Sequence, residues 1–245
     1  MRSSMLRSAL VASAALLVLV SCGSEESSGI TAAPDADESE STSSDVIVAD
    51  DPDDASDDAA TSAECPPVEG TGTQTQQFDA APPMCLEDGA TYQAVVTTNK
   101  GEFTIDVDPA TGPVAANNFV FLARNEYFDD TECHRIIPNF VVQCGDPTAT
   151  GTGGPGYTIV DEPPTVPYEV GSIAMAKTQA PDSAGSQFFI ITGTDGASLP
   201  PEYALFGQVS EGLDTTVAAM AAAGTPGAGT PSEPIEIQSI RIVQS

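Results

Sequence analysis

From Thr91 to Ser245 the chain reads as short runs with apolar side chains at every second position, separated by turn residues. Glu102 to Val107 (EFTIDV) alternates polar and apolar at each step, and Tyr92 to Thr98 (YQAVVTT) is rich in aromatic and β-branched residues. Only Asn99-Lys100-Gly101 lies between them, which predicts a β-hairpin. The period then changes. After Gly112-Pro113, Val114, Phe119, Leu122 and Ala123 recur at helical spacing behind a proline suited to a helix start, so 113–128 predicts a helix with one face buried. Cys133 to Ile137 and Phe140 to Cys144 are strand-like runs about the turn Pro138-Asn139. Gly171 to Ala176, Ser186 to Thr192 and Ala204 to Val209 predict further strands, Leu213 to Ala222 a second helix stopped by Gly224, and Ile235 to Val243 a last strand. About eight short strands with two helices point to closed or sandwiched antiparallel β structure rather than βαβ repeats. The 155 residues from Thr91 to Ser245 suffice for one buried core, and hence one domain over 91–245.

The N-terminal third follows neither period. Arg2 and Arg7 precede an apolar run from Ala9 to Val20 that is short for a membrane span and reads as a signal peptide over 1–21. Its end, Leu19-Val20-Ser21-Cys22, resembles the lipobox of bacterial lipoproteins; that resemblance implies lipidation of Cys22 and an anchor on the outer face of the cell membrane. From Cys22 to Glu64 the composition is Ser, Asp, Glu, Ala and Thr, too poor in large apolar groups to offset the entropy of ordering, so 22–64 is expected to be an acidic, disordered tether. Residues 65–90 form a cysteine-containing lead-in to the domain.

Charge and cysteine usage narrow the function classes. The formal net charge is −29 and becomes −31 once the signal is removed, leaving Lys100, Arg124, Arg135, Lys177 and Arg241 as the basic residues. Nucleic acid and anionic lipid surfaces are disfavoured as partners, because both need basic patches. The glycine-rich loop Gly145 to Tyr157 lacks the terminal Gly-Lys-Ser/Thr of a phosphate-cradling loop. Long cysteine spacings and a single histidine, His134, argue against a metal centre. Beyond Cys22, the cysteines Cys65, Cys85, Cys133 and Cys144 allow three pairings in an oxidising compartment. If 133–137 and 140–144 pair as a hairpin, Cys133 and Cys144 meet at its open end, which favours that bridge and leaves Cys65 with Cys85.

Several segments, in this order, carry a family resemblance: Tyr127-Phe128-Asp129, His134 to Phe140 (HRIIPNF), Gln143 to Pro147 (QCGDP), Gly151-Thr152-Gly153-Gly154, Gly185 to Ile190 (GSQFFI) and Leu205 to Val209 (LFGQV). Together they resemble the cyclophilin-type peptidyl-prolyl cis-trans isomerases. The resemblance implies a mainly β fold, an eight-stranded antiparallel barrel capped by two helices. It implies acceleration of rotation about Xaa-Pro bonds, with proline-containing polypeptides as partners, a monomer, and neither metal nor cofactor. Arg135 matches the family's catalytic arginine. By the same resemblance Phe140, Met175, Phe189 and Leu199 line the proline slot, while Gln143, Gln187, Ala176 and Lys177 hold the flanking peptide. Tyr203 stands on the rim where the family often has histidine, and His134 has a structural or substrate-contacting role. Ser198 stands where many members carry a rim tryptophan, so weak cyclosporin binding is expected. The rival reading is a binding or chaperone module that keeps the pocket and holds partners without turning them over.

Overall fold

A computed structural model describes residues 64–245. The expected signal peptide, Cys22 and all of the acidic tether except Glu64 lie outside these described residues. Among the described residues, no helix is long and apolar enough to cross a membrane.

Nine strands form one antiparallel sheet: β1 (Tyr92–Thr98), β2 (Gly101–Val107), β3 (Thr131–Glu132), β4 (Arg135–Ile137), β5 (Val141–Cys144), β6 (Ser172–Met175), β7 (Phe188–Ile191), β8 (Leu205–Glu211) and β9 (Glu236–Gln244). Their spatial order is β3-β9-β1-β2-β8-β6-β7-β5-β4. The two edge strands, β3 and β4, are separated in the chain only by Cys133 and His134, so the sheet curls until its edges meet at a seam. The expected barrel-like sheet is present with nine strands instead of eight. The extra one, β3, pairs only Thr131 with Ile237 and Glu132 with Glu236, and two residues are too few to show a period.

Helix α1 (Pro113–Arg124) starts on the proline and turns Phe119 into the sheet, where its ring lies 5.0 to 5.5 Å from those of Phe128, Phe188 and Phe206. A short helix α2 (Thr194–Ala197) was not visible in the periodicity. The expected second helix begins as a π turn (Leu213–Val217) and continues as α3 (Ala218–Ala221).

Alternation gives the sheet two apolar faces. Val142, Cys144, Ile173, Met175, Phe188 and Ile190 join the main core. Val141, Ala174, Phe189, Ile191 and Leu205 pack on the opposite face with Tyr168, and against them lie Phe140, Ala176, Leu199 and Tyr203. That second cluster is the floor of the site.

The lead-in is a strap laid along α1. Cys65 and Cys85 are bridged, the Cys85 amide donates to Asn117 Oδ1 at 2.7 Å, and the Gln76 side chain donates to the Tyr127 carbonyl at 3.0 Å. The second bridge joins Cys133 and Cys144 with Cα atoms 4.0 Å apart, as the hairpin argument expects.

Candidate functional site

The β4–β5 hairpin carries the centre of the site. Its register sets Arg135 opposite Gln143 and Ile137 opposite Val141. The turn between them is closed by the Phe140 amide donating to the Ile137 carbonyl at 3.1 Å, with Asn139 left-handed at φ 58. Asparagine tolerates that backbone region better than most residues. Its side chain also accepts from the Thr194 amide at 3.1 Å, which ties the hairpin tip to α2.

Arg135 stands at one wall of a cleft of about 150 Å³, lined also by Phe140, Val141, Gln143, Ala176, Lys177, Phe189, Leu199 and Tyr203. The guanidinium carbon lies 5.6 Å from the Phe140 ring centre, and Nη1 donates to Gln143 Oε1 at 3.1 Å. The amides then run in series. Gln143 Nε2 donates to Gln187 Oε1 at 3.0 Å, and Gln187 Nε2 donates to the Gly153 carbonyl at 3.0 Å. Among the described residues the ion pairs are Lys100 with Glu233, Lys177 with Asp161 and Arg241 with Asp129; Arg135 belongs to none of them. Its remaining donors are therefore free of carboxylate partners at the cleft wall.

The opposite wall is built from rings. Phe189 and Tyr203 meet edge to face with centroids 5.4 Å apart. Tyr168, buried and unmarked by any sequence signal, fixes this rim: its hydroxyl donates to the Tyr203 carbonyl at 2.7 Å and accepts from the Tyr203 amide at 2.9 Å. Burial pushes the Tyr168 hydroxyl up to about 12, so it stays a donor. Ser198 is exposed, and its hydroxyl donates to the Thr194 carbonyl at 2.8 Å instead of covering the cleft.

A second cavity of about 340 Å³ adjoins the cleft and shares Gln143, Ala176 and Lys177 with it. Its walls are the glycine-rich loop from Gly151 to Thr158 and residues of the 176–187 segment, Gln187 among them. Lys177 binds Asp161 at 2.6 Å, and its hydrogen bond holds that carboxyl below the usual range. The loop itself is organised by Asp146. This fully buried carboxylate accepts from the amides of Thr148, Thr150, Gly151 and Gly153 and from the Thr148 hydroxyl. Burial alone would raise its pKa; the hydrogen bonds from Thr148, Gly153 and Gly151 outweigh burial and bring it to about 2.

Met175 is a correction. Expected in the proline slot, it is 1 % exposed and packs in the main core opposite Phe188, because alternation along β6 gives the cleft face to Ala174 and Ala176. Val141 takes that place; it sits two positions before Gln143 on the same strand face, a signal that the period of two could have supplied. His134 is not among the residues lining either cavity; both ring nitrogens are buried without partners. Burial lowers its pKa, and Arg135 lowers it further against an opposing pull from Asp146.

Comparison with known proteins agrees with this geometry. Residues 93–242 match the family described as cyclophilin type peptidyl-prolyl cis-trans isomerase/CLD. The chain is 36% identical over 174 residues to the probable peptidyl-prolyl cis-trans isomerase B of Mycobacterium leprae (strain TN), covering 63% of this chain and 58% of that one. It is 42% identical over 131 residues to peptidyl-prolyl cis-trans isomerase B of Bacillus subtilis (strain 168), covering 53% of this chain and 82% of that one. The chain thus spans only 58% of the length of the Mycobacterium leprae relative. Among solved structures, a Cryptosporidium parvum cyclophilin type peptidyl-prolyl cis-trans isomerase superposes with a TM-score of 0.58 at 31% identity, over 62% of this chain and 98% of that one. The same protein crystallised in the presence of the dipeptide Ala-Pro gives a TM-score of 0.57. With a family match that covers most of the chain, the protein belongs to the cyclophilin-type peptidyl-prolyl cis-trans isomerases.

Proposed function

We propose that this chain accelerates cis-trans rotation about Xaa-Pro bonds of exported polypeptides. Rotation about a peptide bond faces roughly 18 to 20 kcal/mol, because resonance gives the C–N bond double-bond character. No bond is broken, so a catalyst has only to bind the twisted amide better than the planar one. Twisting returns the lone pair to the prolyl nitrogen. A fixed donor aimed there is then worth more than it is against the planar amide. The observation that carries this reading is Arg135 at the wall of an apolar cleft, steadied by Gln143 and free of any ion pair among the described residues. A permanently charged, forked donor suits that role better than a mobile ammonium. Phe140, Val141, Phe189 and Leu199 give the proline ring an apolar seat, and the second cavity receives the flanking peptide.

The reading includes an export route and an anchor: a lipoprotein signal ending at Cys22, a tether to about Glu64, and the folded part beyond it. Its support is the order of arginines, apolar run, small residue and cysteine in the sequence.

Line-shape NMR on an Ala-Pro-containing peptide tests the activity. Unmodified protein should speed exchange, and Arg135→Ala should reduce kcat/KM by about 10²-fold, the scale for loss of one transition-state donor. If the unmodified protein binds the peptide without raising its exchange rate, the holding module is the correct reading.

A further inference from the structure

The family match begins at residue 93, yet the strap before it reaches the substrate side of the molecule. Gln77 Nε2 donates to the Gly154 carbonyl at 3.0 Å, and the Phe78 amide donates to the Pro155 carbonyl at 2.8 Å. The Phe78 ring sits between Phe121 of α1, at 5.0 Å, and Tyr157, at 6.2 Å. Gly154, Pro155 and Tyr157 all line the larger cavity. The contact is too close for a side chain at the intervening residue: a Cβ on Gly156 would lie 2.4 Å from the Phe78 carbonyl oxygen, and its φ of 98 is itself one that glycine favours. From the other side, Asn118 of α1 accepts from the Tyr157 hydroxyl at 2.7 Å and donates to the Gly185 carbonyl at 2.7 Å. The cavity wall is therefore clamped between helix and strap.

We infer that Gln77 and Phe78 are positioning residues for substrate selection, setting the wall that meets the side chain of a residue flanking the isomerised proline. This rests on the proposed isomerase function and goes beyond it, because it places part of the specificity outside the matched domain. The loop is glycine-rich and would sample many backbone conformations if left alone. The strap removes that freedom at Gly154 and Pro155, while its own hydrogen bonds to the loop stop short of the Gly153 carbonyl that ends the series from Arg135 and of the apolar proline seat. Its effect belongs in KM for peptides that fill the cavity, not in kcat.

The test uses the full chain and a set of Xaa-Pro peptides in which each of the two residues on either side of the Xaa-Pro unit is replaced in turn by glycine. Unmodified protein should show a KM rise of about tenfold for one of these replacements, the lower range for a pocket that loses its side chain. Phe78→Ala should erase that difference while keeping kcat on the glycine peptide, Phe78→Tyr should restore it, and Gln77→Ala should erase part of it. If Phe78→Ala fails to fold, Gln77→Ala alone decides, since its side chain is exposed and its loss leaves the aromatic packing in place. Equal discrimination in the unmodified protein and the strap variants overturns this inference and leaves the isomerase reading standing. Absence of activity on every peptide overturns both.

Discussion

At the scale of single residues, Asp146 shows how the site is held. Its carboxyl pKa is lowered from 3.8 to about 2, so the unfolded chain binds the proton more tightly than the folded one. The charged form therefore contributes stability that is complete above the unfolded value and is lost as pH falls from about 4 toward 2, amounting to about 2 kcal/mol. Urea unfolding should show Asp146→Asn less stable than the unmodified protein at pH 7, with the gap narrowing at pH 3; a gap that stays constant with pH would contradict the assignment. Arg135, Phe140, Gln143, Phe189 and Tyr203 were legible because each lies inside or beside a recognisable run of residues, and Leu199 by its place between two such runs. Met175 was misplaced because neighbouring residues on a strand face opposite ways, and a motif match one position off reverses the side. Tyr168 was not legible at all. Its role depends on a contact with Tyr203, 35 positions away, that no local pattern encodes.

At the scale of elements, the β4–β5 hairpin is short: its ladder has three residue pairs. Such a hairpin has little stability of its own. The Cys133–Cys144 bridge closes it directly beside Arg135 and Gln143. Closing a loop of this size contributes about 2 to 3 kcal/mol in the chain-entropy account. Replacing both cysteines by serine should lower the urea midpoint by a corresponding amount, and mass mapping of the unmodified protein should find no free thiol at either position. An unchanged midpoint would show that the neighbouring strands alone hold the hairpin. The bridge was legible in the sequence because a tight turn at Pro138-Asn139 fixes which cysteines approach. Helix α2 was not, since a four-residue helix spans about one turn and shows no period.

At the scale of the whole molecule, the family resemblance implied the barrel-like sheet and the position of the cleft, but not the way residues 65–90 bind across α1 to the loop beyond it. Their composition carries no period, and the hydrogen bonds that reach past α1 go to backbone carbonyls that any sequence presents. The N-terminal lipid anchor is a prediction of the same scale: palmitate labelling of intact cells should mark the protein, and Cys22→Ala should lose the label and release the protein from the membrane fraction. Finally, β9 lies between β3 and β1 in the sheet, although it is the last strand in the chain. The seam that carries Arg135 therefore cannot close before β9 has been made or threaded across a membrane. Until residues 236–244 arrive, β3 has no partner and β1 has only β2, so a protein proposed to hurry the folding of others would be silent until β9 has been made and has inserted between them.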